Sequence, residues 1–217
     1  MTRSAIHPRR RRLTAAGVWI GCGLCYLAAE AAAAAAIPGY SYAVEYISDL
    51  GIPGHSPSAG LMNTAFVTQG AGFILAGALV FTSVRRSAGT TACFALGVLY
   101  GIGSAVVGVV HGGGDGAAHV IHIGGATAAI VAGNLGLIGV GALVLKRGRH
   151  RLLGVASAAL GAAGLISAVL LVRPGLVGTV PWDGGAWERG SVYTIIAWQL
   201  AAAAVLLIQA GRSSARR

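Results

Sequence analysis

The sequence predicts an all-α fold, a polytopic membrane bundle of six transmembrane helices with both termini in the cytoplasm. Composition is the first observation: 55% of the 217 residues are hydrophobic and only 10% are charged, against roughly 25% charged residues in a soluble domain. The second observation is a series of long apolar runs, and the third is the alternation of basic residues between them. Together they predict one membrane domain, in which spans of about 20 residues take up most of the chain.

Six apolar runs are long enough to cross the hydrocarbon core of a bilayer. The first ends at Pro38 and Gly39 and exceeds the roughly 7–15 apolar residues of a signal-peptide core, although the alanines at 31–36 keep signal cleavage open as an alternative. The transmembrane domain is predicted at 13–209, between basic cytoplasmic tails at 1–12 and 210–217. Its predicted spans are 13–37, 63–82, 92–110, 119–145, 152–172 and 191–209.

Basic residues occupy alternate connections between the runs. The two tails and the segments 83–91 and 146–151 hold nearly all of the 16 Lys and Arg residues, whereas 38–60 and 111–118 hold none. Cytoplasmic loops carry an excess of Lys and Arg, so the N-terminus and the C-terminus are both predicted inside. Short basic clusters between apolar runs suit anionic lipids rather than nucleic acid. The predicted location is the inner membrane of a bacterium, and the Ala, Gly and Arg usage indicates an actinobacterium.

The acidic residues all fall on the side opposite to the basic clusters, so acid–base chemistry is predicted on the extracytoplasmic side. Glu30 belongs to the outer leaflet, because it lies roughly 25 Å along a span of about 30 Å. An ionisable residue at that depth is costly and usually has a partner. The sequence offers Arg189 or one of the histidines as this partner; a Glu that reaches the interface and is solvated is the alternative.

A second group of chemistry-bearing residues consists of His111, Asp115, His119 and His122. On one continuous helix their spacing would put all four on one face, and histidine with carboxylate can bind zinc with a position left open for water. The glycines at 112–114 and 116 favour a turn instead, in which His111 caps the third helix and Asp115 opens the fourth. No cofactor is therefore expected, and zinc on these four residues is the alternative.

Three motifs carry a resemblance to a known family. The first is Y-I-S-D-L-G at 46–51 with Ser56, Pro57 and Asn63; the second is the Gly-rich segment from Asp115 to His119 and His122; the third is E-R-x-x-V-Y at 188–193 with Trp198. Over about residues 13–208 the chain resembles the domain-of-unknown-function 998 family of bacterial and archaeal membrane proteins. More distantly, the I-S-D-x-G element is similar to one in eukaryotic FRAG/DRAM-type six-span proteins.

The resemblance implies a compact helical bundle with the motif residues on one membrane face, and it brings no established enzymatic activity. Relatives often have Phe-Pro where this chain has Val110 and His111, which separates His111 from the shared site. Together with the residue-level reasoning it predicts an outer-leaflet polar pocket. The residues of this pocket are Glu30, Ser48, Asp49, Asn63, Asp115, His119, His122, Glu188 and Arg189.

Three functions fit these observations. The favoured one is a non-enzymatic membrane protein that binds lipid, or a membrane protein partner or second copy of itself, through the outer-leaflet pocket. The first alternative is a membrane-embedded, metal-dependent lipid hydrolase, because Ser, Asp and His near one face also occur in the seven-span alkaline ceramidase-like superfamily. The second alternative is a small transporter or flippase, which would need polar residues to continue inward beyond scattered amides such as Gln69 and Asn134.

Overall fold

The computed structural model describes residues 8–114, 116–148, 150–173, 176 and 183–214. Within these ranges the chain forms six α-helices, one short 3-10 helix at Ser48–Gly51 and no strand. Each α-helix is long and apolar enough to cross a membrane, which confirms the predicted all-α, six-span fold. The helices are α1 (Pro8–Ala35), α2 (Ala59–Phe81), α3 (Ala88–Val109), α4 (Ala117–Lys146), α5 (Arg151–Val172) and α6 (Gly184–Ser214).

The helices form a closed ring. Each packs against the next in sequence, and α6 returns to pack against α1 and, over a smaller area, α4. Successive helices run in opposite directions, so charged residues are sorted to two ends. The end that we call the acidic end holds Glu30, Glu45, Asp49, Asp183 and Glu188, and the end that we call the basic end holds Arg9–Arg12, Arg85, Arg86, Lys146, Arg147, Arg151 and Arg212.

All six helices start before the spans predicted for them, and α1 and α6 do so by the largest margins, five and seven residues. α1 begins at Pro8, since proline is tolerated in a first helical turn, where its missing N–H has no intrahelical partner. α6 begins at Gly184, where the side chain of Asp183 accepts a hydrogen bond from the Gly184 N–H at 2.9 Å. The predicted sixth span, which starts at residue 191, therefore begins seven residues inside the helix. The helix continues through Glu188 and Arg189 because their polar groups find partners inside the protein.

The start of α3 and the end of α4 follow from local signals. Ser87 caps α3 by accepting from the Thr90 N–H at 3.2 Å, while the Thr90 hydroxyl accepts from the Ser87 N–H at 2.8 Å. This reciprocal pair satisfies two of the free N–H groups at the helix start. After α4, Gly148 adopts φ +68° and donates to the Leu145 carbonyl at 3.0 Å. Glycine suits this position because it enters the left-handed region without a steric cost.

Glycines set the spacing between α3, α4 and α5. A Cβ atom at Gly103 would lie 2.5 Å from the carbonyl oxygen of Gly125, and one at Gly161 would lie 2.5 Å from that of Asn134. Small residues allow such backbone approach in lipid, where helices associate by close packing rather than by the hydrophobic effect. Toward α2, a Cβ atom at Gly101 or Gly108 would come similarly close, at 2.6 Å, to the carbonyl oxygen of Gly70 or Asn63.

Aromatic residues fill the inside of the ring in two layers. Toward the basic end, Trp19 and Trp198 meet edge to face at 5.6 Å. Toward the acidic end, Tyr26 and Phe66 also meet at 5.6 Å. Ile47, just before the 3-10 helix, and Leu50, within it, join this second layer. The connection between α1 and α2 is therefore part of the core and is held directly over the start of α6.

Candidate functional site

Three buried and two half-buried side chains form a polar group that we call the acidic-end cluster: Glu30, Glu188 and Arg189 are buried, and Tyr40 and Tyr193 are half-buried. Its centre is the ion pair between Arg189 Nε and Glu30 Oε1 at 2.9 Å, in which the two side chains are only 7% and 1% exposed. The Tyr193 hydroxyl donates to the same carboxylate oxygen at 2.9 Å. The pairing of Glu30 with Arg189, one of the two partners that the sequence offers, is confirmed.

Arg189 joins α1, the connection after it and α6. Its Nη1 donates to the carbonyls of Tyr42, Glu45 and Gly185 at 2.7, 2.8 and 3.1 Å, and its Nη2 donates to the Tyr40 hydroxyl at 2.6 Å. The guanidinium carbon also lies 4.7 Å from the ring centre of Tyr42, a distance typical of a cation–π contact. The planar, multi-donor guanidinium suits this arrangement, which a lysine ammonium does not reproduce.

The first turn of α6 is fastened to the same connection by backbone bonds. The N–H groups of Gly185 and Ala186 donate to the carbonyls of Val44 and Ala43 at 3.1 and 2.9 Å. These are among the N–H groups that a helix start leaves without an intrahelical partner. A Cβ atom at Gly185 would clash with the backbone of Glu45, so glycine is needed there for the two segments to meet.

Tyr40 bridges the connection to Arg189. Its hydroxyl accepts from Arg189 and donates to the Tyr46 carbonyl at 3.0 Å. Burial raises the pKa of Tyr40 to about 12, and the hydrogen bond from Arg189 opposes that rise. Tyr40 is therefore a neutral hydroxyl near pH 7, able to donate and accept at once.

Glu188 is the second buried carboxylate of the cluster. It is 9% exposed, and its Oε2 accepts a hydrogen bond from the Ile47 N–H. Among the described residues it has no ion-pair partner, because the cluster's one cation, Arg189, pairs with Glu30. Its side chain lines a small cavity of about 40 Å³ together with Tyr26, Tyr100 and Ser104.

Two acceptor oxygens near this end are buried without a hydrogen-bond partner among the described residues: Glu30 Oε2 and Asn63 Oδ1. The Asn63 amide nitrogen donates to the Gly51 carbonyl at 2.8 Å and so ties α2 to the 3-10 helix. Asp49 is half-buried, and its carboxylate accepts from the Tyr46 N–H at 3.1 Å. Ser48 and Asp49 lie within the 3-10 helix, whose N-cap residue is Ile47, with no side-chain cap.

The histidines lie apart from the acidic-end cluster. His119 and His122 are in the first turns of α4, as predicted, and their Nδ1 atoms donate to the carbonyls of Gly112 at 3.2 Å and Val110 at 2.7 Å. His122 thus caps the end of α3, where carbonyls lack helical partners, and His119 ties α4 to the connection after α3. His111 is half-buried just after the Val110 C-cap. In the described part of the chain no hydrogen bond or ion pair links these histidines to the acidic-end cluster.

The zinc alternative rests on four residues, of which Asp115 lies outside the described residues. Among those that are described, no three His, Cys, Asp or Glu side chains form a group that could hold a metal ion. His119 and His122 each use one ring nitrogen on a backbone carbonyl. Zinc on His111, Asp115, His119 and His122 stays a prediction.

Sequence reasoning missed a polar group at mid-span. Gln69 Nε2 donates to Gln199 Oε1 at 2.6 Å and to the Tyr100 hydroxyl at 3.0 Å, and Gln199 Nε2 donates to the Trp19 carbonyl at 2.6 Å. Both glutamines are fully buried. The available signal was that each amide lies deep within an apolar span, where an unpaired polar group is costly and calls for a partner.

We expect Gln69→Leu to destabilise the protein by about 1–2 kcal/mol, because it leaves Gln199 Oε1 buried without its donor. The double variant Gln69→Leu/Gln199→Leu should be less destabilised than the sum of the single variants, since both polar groups are then gone. Thermal unfolding in detergent measures this difference. Gln209→Leu, near the end of α6 and only half-buried, is the control; additive effects of the two core changes would contradict a coupled pair.

The six apolar helices and the buried charges at one end define a multi-pass membrane protein. The chain belongs to the family described as Protein of unknown function (DUF998), which matches residues 19–205. The resemblance seen in the sequence is thereby confirmed for this family. No curated protein and no solved structure matches the chain.

Proposed function

We propose that this protein binds a membrane lipid without chemically altering it, and that the acidic-end cluster recognises a primary ammonium headgroup. The observation that carries the proposal is Glu188, a buried carboxylate with no cation of its own among the described residues, which faces a small cavity. A buried charge within a membrane span is costly unless it is paired.

The charges of the cluster favour a cationic ligand. Glu30 and Glu188 stand against the single cation Arg189, which is already committed to Glu30. The second oxygen of Glu30 also lacks a donor in the described part of the chain. An ammonium group carries three N–H donors and no acceptor, so it supplies the positive charge and the donors together. An anionic headgroup would be repelled by the two carboxylates, and it would supply neither a positive charge nor the missing donors.

The size of the cavity limits what can enter. Its volume of about 40 Å³ exceeds the roughly 10–15 Å³ needed for one water, so a single small polar group fits. The connection above the cluster exposes Tyr42, Val44 and Tyr46, side chains typical of the membrane interface. The lipid chains would accordingly remain outside the bundle while the headgroup reaches the cluster.

The orientation is part of the proposal. Placing the basic end in the cytoplasm and the acidic end outside agrees with the excess of Arg at one end. In this orientation the cluster contacts lipid headgroups of the outer leaflet of a bacterial inner membrane, and both termini lie inside the cell. Thiol labelling of a cysteine added near residue 217 tests this: labelling from outside intact cells would contradict it.

The test compares dioleoyl phosphatidylethanolamine with dioleoyl phosphatidylcholine, whose quaternary ammonium has the same charge and no N–H donor. Native mass spectrometry of the full chain in detergent should show one ethanolamine lipid bound, with an affinity about tenfold higher than that of the choline lipid. Glu188→Gln should abolish this preference. The glutamine still accepts from the Ile47 N–H, so the fold is expected to persist.

Asp183→Asn is the matched control, because it also removes one carboxylate at the start of α6 and asparagine caps a helix equally well. It should bind like the wild type. Equal binding of the two lipids by the wild type, or an unchanged preference in Glu188→Gln with an unchanged unfolding midpoint, would overturn the proposal.

The hydrolase and transporter hypotheses stay as alternatives. A metal-dependent hydrolase needs a ligand group, for which the described residues offer no observation in favour. A transporter gains one observation, since Gln69, Gln199 and Tyr100 place bonded polar groups at mid-span. These three mid-span side chains are buried, and the two amides are hydrogen-bonded to each other. The same observation therefore supports a structural role as well as a transport role.

A further inference from the structure

A second and larger cavity lies inside the ring at the basic end. Its volume is about 320 Å³, within the range of roughly 300–1,000 Å³ of small-molecule sites. Residues from all six helices line it, and nearly all of them are apolar. Representative lining residues, one from each helix in order, are Trp19, Phe73, Phe94, Leu143, Leu153 and Trp198.

The cavity extends from mid-span to the basic end of the bundle. Its lining on α6 runs from Trp198 to Gln209, about 16 Å along a helix. At the end of α4 it reaches Arg147, the C-cap residue; it also reaches Val84 in the connection after α2 and Thr90 in the first turn of α3. Its length and apolar wall suit a hydrocarbon chain that lies along the bundle axis.

Cations without a counter-ion stand at the mouth of the cavity. Arg147 lines it and makes no hydrogen bond or ion pair with the described residues. Arg86 lies 5.6 Å from the ring centre of Phe81, another lining residue. The sequence places no acidic residue in the connections at this end, so these charges have no carboxylate partner there and attract anions.

We propose that this cavity holds one acyl chain of an anionic phospholipid, with its headgroup phosphate at Arg147 and Arg86. This site is separate from the acidic-end cluster and takes the opposite headgroup charge. The apolar wall matches the hydrocarbon chain, and the arginines at the mouth match the anionic headgroup.

The test uses native mass spectrometry of the full chain with dioleoyl phosphatidylglycerol, dioleoyl phosphatidylcholine and free oleate. Phosphatidylglycerol should bind once and about tenfold more tightly than phosphatidylcholine. Gly77 and Gly97 line the cavity, so a leucine at either position should fill it and abolish this binding. The fold should tolerate both changes, because a Cβ atom at Gly77 or Gly97 makes only ordinary contact, at 3.8 or 3.4 Å, with an aromatic side chain. Gly21→Leu is the control, since a Cβ there meets nothing within 4 Å.

Arg147→Gln should weaken phosphatidylglycerol binding about fivefold, the effect of one cation near an anionic headgroup, and leave phosphatidylcholine binding unchanged. Arg212→Gln, exposed on the last turn of α6, should have no effect. Unaltered binding by both filled variants, equal affinity for the two phospholipids, or tighter binding of oleate would each overturn the proposal. The variants of the two proposed sites lie at opposite ends, so the proposals fail independently.

Discussion

Replacing Arg189 with methionine is expected to destabilise the protein by about 3–5 kcal/mol, the usual cost of removing one partner of a buried ion pair. The change leaves Glu30, only 1% exposed, without its cation. It also removes the donor from the carbonyls of Tyr42 and Glu45. The connection after α1 would then lose its attachment to α6. Thermal unfolding of the purified protein in detergent measures the loss.

Three further variants separate charge from geometry. Arg189→Lys keeps the charge but lacks the planar fork, so it should recover only part of the stability. Glu30→Gln combined with Arg189→Met should cost less than the sum of the two single changes, because no unpaired carboxylate remains. Arg173→Met, an exposed arginine at the end of α5, is the control. An equal loss in Arg173→Met and Arg189→Met would contradict the structural role of the cluster.

Replacing Gly103 with leucine is expected to separate α3 from α4 and to cost about 3 kcal/mol or more. Even a Cβ atom there would lie 2.5 Å from the Gly125 carbonyl oxygen and 2.7 Å from the Ala129 nitrogen. Both are backbone atoms of α4, which cannot move aside as a side chain can, and overpacking commonly costs about 1–3 kcal/mol even where neighbours yield.

Gly124→Leu provides the matched comparison on α4. A Cβ atom at Gly124 meets nothing within 4 Å, so leucine there faces the surroundings of the bundle and should be neutral or slightly stabilising, since leucine favours a helix over glycine. Unfolding midpoints and yields of folded protein in detergent distinguish the two variants. Similar behaviour of both would show that the close α3–α4 approach does not limit stability.

Parts of the acidic-end cluster were predictable because their signals are local. Glu30 in an apolar span requires a partner wherever the chain goes next, and Arg189 was one of few candidates. Arg189 and Tyr193 are four residues apart and so share a helix face. The positions of His119 and His122 in the first turns of α4 also followed from the glycines before them.

Other parts were not predictable, because they depend on which segments meet. Tyr40 and Tyr42 contact Arg189 only because the connection after α1 folds back over α6. The extension of α6 to Gly184 was missed for the same reason: its free N–H groups are satisfied by the carbonyls of Ala43 and Val44, which are distant in sequence.

The sequence by itself determined that this protein is a bundle of six membrane-spanning helices and which end of each helix is charged. Both follow from the hydropathy and length of each span and from the positions of the basic residues along the chain. These properties do not depend on which helices pack together. Only the tertiary structure decided that α6 closes the ring on α1. That closure brings together Glu30 with Arg189 and Gln69 with Gln199, pairs 159 and 130 residues apart, and encloses the cavity at the basic end, because contacts of that separation depend on how all the helices pack.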